Sequence, residues 1–121
     1  MPKGSEQLTN ARKEEIINAC AKLYTTMNFK DITLKQISLE TTFTRTSIYN
    51  YFQTKEEIFL ALFQREYDLW TTDIRQIFEK YEVMTVDEFA SALAHTLEKR
   101  ECLLKLLSMN HYDMESRSRL D

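Results

Sequence analysis

Glycine and proline are nearly absent from this 121-residue chain, with one of each. A fold of many β-hairpins needs residues that reach positive φ at its turns, and prolines that preset φ at others. Their scarcity argues against that architecture and predicts an all-α protein. Long apolar runs are missing too. The longest clear one, Ile58 to Phe63 (IFLALF), falls far short of the roughly 20 residues of a membrane span. The opening MPKGSEQLTN lacks the apolar core of a signal peptide. The expectation is a cytoplasmic protein without a membrane partner. Cys20 and Cys102 form no CxxC pair, so two reduced, buried thiols are expected in preference to a disulfide.

Catalytic signatures are also wanting. No GxSxG, Walker loop or HExxH occurs, so no enzymatic activity is expected. His111-Tyr112-Asp113 with Glu115 matches no metal-ligand spacing and reads as a solvated polar segment, and His95 is isolated. No cofactor and no metal are expected.

Charge is unevenly placed. The net charge is -3, yet residues 1–55 carry 8 basic against 5 acidic groups, or +3. The remainder is -6. A positive front joined to a negative back fits a DNA-facing head on a body of another kind.

Helical periodicity runs through most of the chain. Apolar groups at 16, 17, 20, 23, 24 and 27 predict a first helix over residues 11–27. Asn28 can end it in the left-handed conformation that glycine usually supplies. Thr33 with Gln36 has the spacing of a capping box and opens a short second helix carrying Leu34 and Ile37. Thr41-Thr42-Phe43 suits a turn that buries Phe43. Thr44 caps a third helix that runs through Phe52. Thr54 with Glu57 opens a long helix with an apolar face of Ile58, Leu62, Leu69, Ile74, Ile77 and Phe78. Thr85 with Glu88 opens another, and a break is expected near Lys99-Arg100.

Thr33 to Phe52 thus has the dimensions of a helix-turn-helix. Ile48 and Phe52 share the core face of its third helix, which turns Thr46, Tyr49 and Asn50 outward, with Arg45 in the first turn. Arg can donate twice to a guanine edge, Asn can pair with adenine, and Thr offers a methyl and a hydroxyl. Helix N-termini favour phosphate, and Tyr49 and Lys55 can reach one.

The segment ITLKQISLETTFTRTSIYNYFQTKEEIFLALF, with its Tyr49-x-Tyr51-Phe52 box followed by Lys55-Glu56-Glu57, resembles the DNA-binding head of TetR-family transcriptional regulators. INACAKLYTTMNFKDITLKQIS is similar to that family's first helix and its link to the second. The resemblance implies double-stranded DNA as partner. It places Thr33 and Lys35 near the DNA backbone. It puts Thr44, Arg45, Thr46, Tyr49 and Tyr51 on or beside the recognition helix, with Asn50 at its most variable position and Lys55 on a phosphate. It further implies a head at 1–53 and, over 54–121, the first helices of a ligand-binding and dimerisation domain. A homodimer, a small-molecule effector and repression at a pseudo-palindromic operator follow.

Two departures stand out. Thr41 and Thr42 replace the small residue and glycine usual in the turn, which leaves the angle of the third helix open. Family members also carry further helices, so this chain is expected to be cut short. Among the aromatics, Trp70, Phe63 and Phe89 are the pocket candidates. The ordinary role of such a stripe is core or partner-helix face. The alternative to operator binding is a helical protein-interaction module, or a fragment unable to dimerise.

Overall fold

The computed structural model describes residues 2–109, with side chains from Ser5 onward. His111, Tyr112, Asp113 and Glu115 lie outside that range. The described residues form helices and turns with no strand: α1 (Pro2–Tyr24), a short 3-10 turn (Phe29–Asp31), α2 (Leu34–Leu39), α3 (Arg45–Ile48), α4 (Lys55–Lys80), α5 (Val86–Glu98) and α6 (Glu101–Ser108). No described helix is long and apolar enough to cross a membrane. The chain divides into two compact units, Met1–Leu62 and Phe63–Asp121, and the division falls within α4.

Helix α1 begins well before residue 11. Among residues 5–10, Glu6, Gln7 and Leu8 are good helix formers, Ser5, Thr9 and Asn10 are weaker ones, and no apolar stripe marks the segment. It also stops short of Met27. The Thr25 hydroxyl donates to Lys22 O at 2.7 Å, and such local bonds compete with the helical ladder. Asn28 does not take the left-handed conformation expected of it. Its φ of -93° and ψ of 159° are extended, and it leads into the 3-10 turn instead. The Lys22–Asn28 stretch unwinds through turns that need no positive φ, so the role read for Asn28 is vacant.

The first unit closes over Ile16, Cys20, Ile32, Ile37, Ile48 and Ile58, each fully buried. Phe59 completes this core from the second turn of α4. Its ring meets Tyr24 (5.1 Å, 83°) and Phe29 (4.8 Å, 76°) edge to face, the favoured geometry for aromatic pairs. Leu62 is buried as well, so the head's core draws on α4 beyond the start of that helix.

In the second unit, Leu103 and Leu106 of α6 and Ile77 of α4 are buried. The break at Lys99-Arg100 is present, with Lys99 ending α5 and Arg100 opening α6. The face read for α4 is only partly correct. Leu69 and Phe78 are exposed (42% and 62%), and Phe78 packs sideways on Phe89 at 5.6 Å. Both cysteines are free. Cys20 is fully buried, whereas Cys102 is half-buried, and that burial pushes its thiol pKa up to about 11.

Candidate nucleic-acid interface

Side-chain caps hold the helix-turn-helix in place. Thr33 Oγ1 accepts from Gln36 N at 3.1 Å, and Gln36 Oε1 accepts from Thr33 N at 2.9 Å, so both halves of the capping box form. Thr44 Oγ1 accepts from Ser47 N at 3.1 Å and starts α3. Each such cap contributes about 1 kcal/mol and, more to the point, fixes where each helix begins.

The turn between α2 and α3 achieves its shape without glycine, since no described residue has positive φ. Thr41 and Glu15 do the work. The Thr41 hydroxyl donates to Ser38 O at 2.8 Å and accepts from Phe43 N at 3.1 Å. Glu15 Oε2, on α1, accepts from Thr42 N at 2.7 Å and from Thr42 Oγ1 at 3.0 Å. Backbone donors that a tight turn strands are thereby satisfied by side chains.

Helix α3 is shorter than its periodicity suggests. It spans Arg45–Ile48, and Tyr49 to Tyr51 continue as turns bonded three residues back: Tyr49 N to Thr46 O, Asn50 N to Ser47 O, Tyr51 N to Ile48 O. Tightening of a last turn in this way is common at helix ends. Ile48 and Phe52 are buried, while Thr44, Arg45, Thr46, Tyr49 and Asn50 are exposed. Thr33 and Lys35 are exposed as well.

Phe43 does not join the core. It is half-buried, beside Tyr51 at 6.1 Å and beneath the Arg12 guanidinium at 5.7 Å. Tyr51 is half-buried too, and its hydroxyl accepts from Arg12 Nη1 at 3.2 Å. Lys55 folds back onto the 3-10 turn. Its Nζ donates to Phe29 O at 2.7 Å and lies 4.2 Å from the Phe29 ring. Arg12 and Glu15 were not legible as participants. They sit one turn apart on α1, but their partners lie 39 and 27 residues away, and nothing local flags them.

The pocket candidates fall into two groups. Phe63 stacks on Tyr67 at 6.1 Å, and Tyr67 meets Trp70 edge-on at 6.2 Å, so one face of α4 carries an aromatic ladder. The Trp70 indole N–H is spent on Thr96 Oγ1 at 3.0 Å, joining α4 to α5. Phe89 has Phe78 as its ring partner. The bidentate pairing of Asp73 with Arg100 in this unit is not legible in the sequence. Asp73, buried on α4, receives Arg100 through Nε at 2.8 Å and Nη2 at 3.0 Å. These bonds hold the Asp73 carboxyl below its usual range and raise Arg100 further. His95 is exposed beside Glu98 at 3.6 Å.

A family model described as "Bacterial regulatory proteins, tetR family" matches residues 16–62. A second, "Tetracyclin repressor-like, C-terminal domain", matches residues 64–121. No match was found among curated proteins or solved structures. The head built on two capped helices, and a helical second unit matched by its own model, place this chain in the TetR family of DNA-binding transcriptional regulators.

Proposed function

We propose that the chain is a ligand-responsive repressor that acts as a homodimer. Two copies would place α3 and the turns after it in successive major grooves of a pseudo-palindromic operator, about 34 Å apart. One observation carries this reading. Thr44, Arg45, Thr46, Tyr49 and Asn50 are exposed together around a helix of the head, while Ile48 and Phe52 of the same segment are buried. Any amphipathic helix turns polar groups outward. This one sets out a guanidinium, an amide and hydroxyls, groups matched to base edges and phosphates, in one short stretch of a helix-turn-helix head.

In this reading Arg45, Thr46 and Asn50 face base edges. Thr33, Lys35, Thr44, Tyr49 and Tyr51 face the backbone, as most protein–DNA hydrogen bonds do. Lys55, already bonded to Phe29 O, would add a phosphate contact at the start of α4. A small apolar or amphipathic ligand among the helices of the second unit, near Trp70, Phe63 and Phe89, would change the spacing of two heads, because α4 carries residues of both units. Both half-sites must be met at once, so spacing governs affinity.

The test is Arg45→Ala, read by binding to a panel of single-base operator variants. If Arg45 reads guanine, preference at one position relaxes and about 1–3 kcal/mol is lost there. Equal weakening on every sequence would reassign it to phosphate, and no weakening would remove it from the interface.

A further inference from the structure

Arg12 lies on α1, outside the helix-turn-helix, and has no acidic partner among the described residues. It is exposed, yet not loose. Nη1 donates to Tyr51 Oη at 3.2 Å, and the guanidinium lies 5.7 Å from the Phe43 ring centroid. One turn further along α1, Glu15 grips Thr42, so α1 is fastened to the same stretch of chain at two points.

The hydrogen bond has a chemical consequence. A guanidinium carries five N–H donors and Tyr51 takes one of them. The Tyr51 oxygen accepts that bond, which leaves its own O–H as a donor. Two donor groups 3.2 Å apart, one of them cationic, suit the paired oxygens of a phosphate. The ring contact holds the long arginine in place beforehand, which lowers the entropy lost when an anion binds. Tyr51 stands two residues past Tyr49, the last cap of α3, so the pair sits beside the recognition helix.

We propose that Arg12 and Tyr51 together clip one backbone phosphate of the duplex, with Phe43 as the platform for the guanidinium. The clip fixes the position of the head on DNA and reads no base. It rests on the operator-binding reading above and adds a contact from α1 to it.

Fluorescence anisotropy with two labelled duplexes, a selected operator and an unrelated sequence of equal length, tests this across a salt series. Arg12→Ala is expected to weaken binding to both duplexes about tenfold per head and to flatten the log K against log salt line by about one unit per head, hence about two for a dimer on its operator. Arg12→Lys restores the slope. Tyr51→Phe weakens both by roughly threefold to tenfold with the slope unchanged, since it removes a hydrogen bond and no charge. Thermal melts of each variant separate loss of fold, which lowers the active fraction and leaves the slope alone. An operator-binding protein whose slope is indifferent to Arg12→Ala overturns the clip and leaves the operator reading intact. A wild-type protein that binds neither duplex at low salt overturns both.

Discussion

Truncation of Phe59 to Ala is expected to cost about 3–5 kcal/mol of folding stability. Phe59 is 1% exposed and meets two other rings edge to face, at 5.1 and 4.8 Å. Those rings come from the end of α1 and from the 3-10 turn, so this one side chain ties α1 and the turn to α4. The loss combines the transfer free energy of a buried ring, the cavity left behind and two aromatic contacts of about 0.5–1.5 kcal/mol each. Total stabilities of small domains are only about 5–15 kcal/mol, so DNA binding should fall at temperatures the wild type tolerates. Phe59→Leu, closer in volume, should cost well under half as much. Urea unfolding followed by circular dichroism measures both. A Phe59→Ala loss below about 1 kcal/mol would mean that the ring cluster does not hold the head together.

The second large effect lies at Asp73 and Arg100. Arg100→Ala leaves a carboxylate that is 8% exposed with, among the described residues, Lys99 at 3.9 Å to answer it. Removing one partner of a deeply buried pair costs about 3–5 kcal/mol. Arg100 retains 22% side-chain exposure, and water screens the pair in part, so about 2–3 kcal/mol is expected here. Replacing both, as Asp73→Leu with Arg100→Met, should recover most of that loss, because apolar packing avoids desolvating two charges. The pH dependence follows from the depressed Asp73 pKa, caused first by the Arg100 hydrogen bonds. The stabilisation is fully present above the unfolded aspartate value of about 3.9 and is lost as pH falls below it through the folded value. Melts between pH 7 and pH 2 should show the wild type losing its advantage over Asp73→Asn only at the acidic end. An advantage that instead declined between pH 7 and pH 5 would contradict the assignment.

What could be foreseen from the sequence divides by range. Caps are local chemistry, a hydroxyl and an amide or carboxylate three residues apart. The boxes at Thr33, Thr54 and Thr85 and the cap at Thr44 are all in place. The two-helix turn and the outward set of Arg45, Thr46, Tyr49 and Asn50 follow from the same spacing and from the buried Ile48 and Phe52. Elements without an apolar signal were harder. Leu8 is the one large apolar side chain over residues 5–10 of α1, and it is exposed, so no helical stripe marks that segment. Asn28 could have adopted the left-handed conformation, but the Thr25 hydroxyl and the 3-10 turn offered another way out of the helix. Phe43 looked like core because it is aromatic. Its actual neighbours, Arg12 and Tyr51, are amphipathic and leave it half-covered. Contacts across 27 or more residues, such as Glu15 with Thr42 and Asp73 with Arg100, depend on packing that no window of sequence contains. They are also the contacts that explain how the turn manages without glycine and how α6 is tied to α4.

The central claim is that two heads of this kind read an inverted repeat. Selection of bound duplexes from a random library, at near-physiological salt, tests it most directly, with the Arg45→Ala/Tyr49→Phe variant as control. The account predicts recovery of two half-sites in inverted order, with centres about 34 Å or one helical turn apart, and their loss in the variant. Recovery of no sequence above the variant's background, from a protein shown to be folded and dimeric, would contradict it.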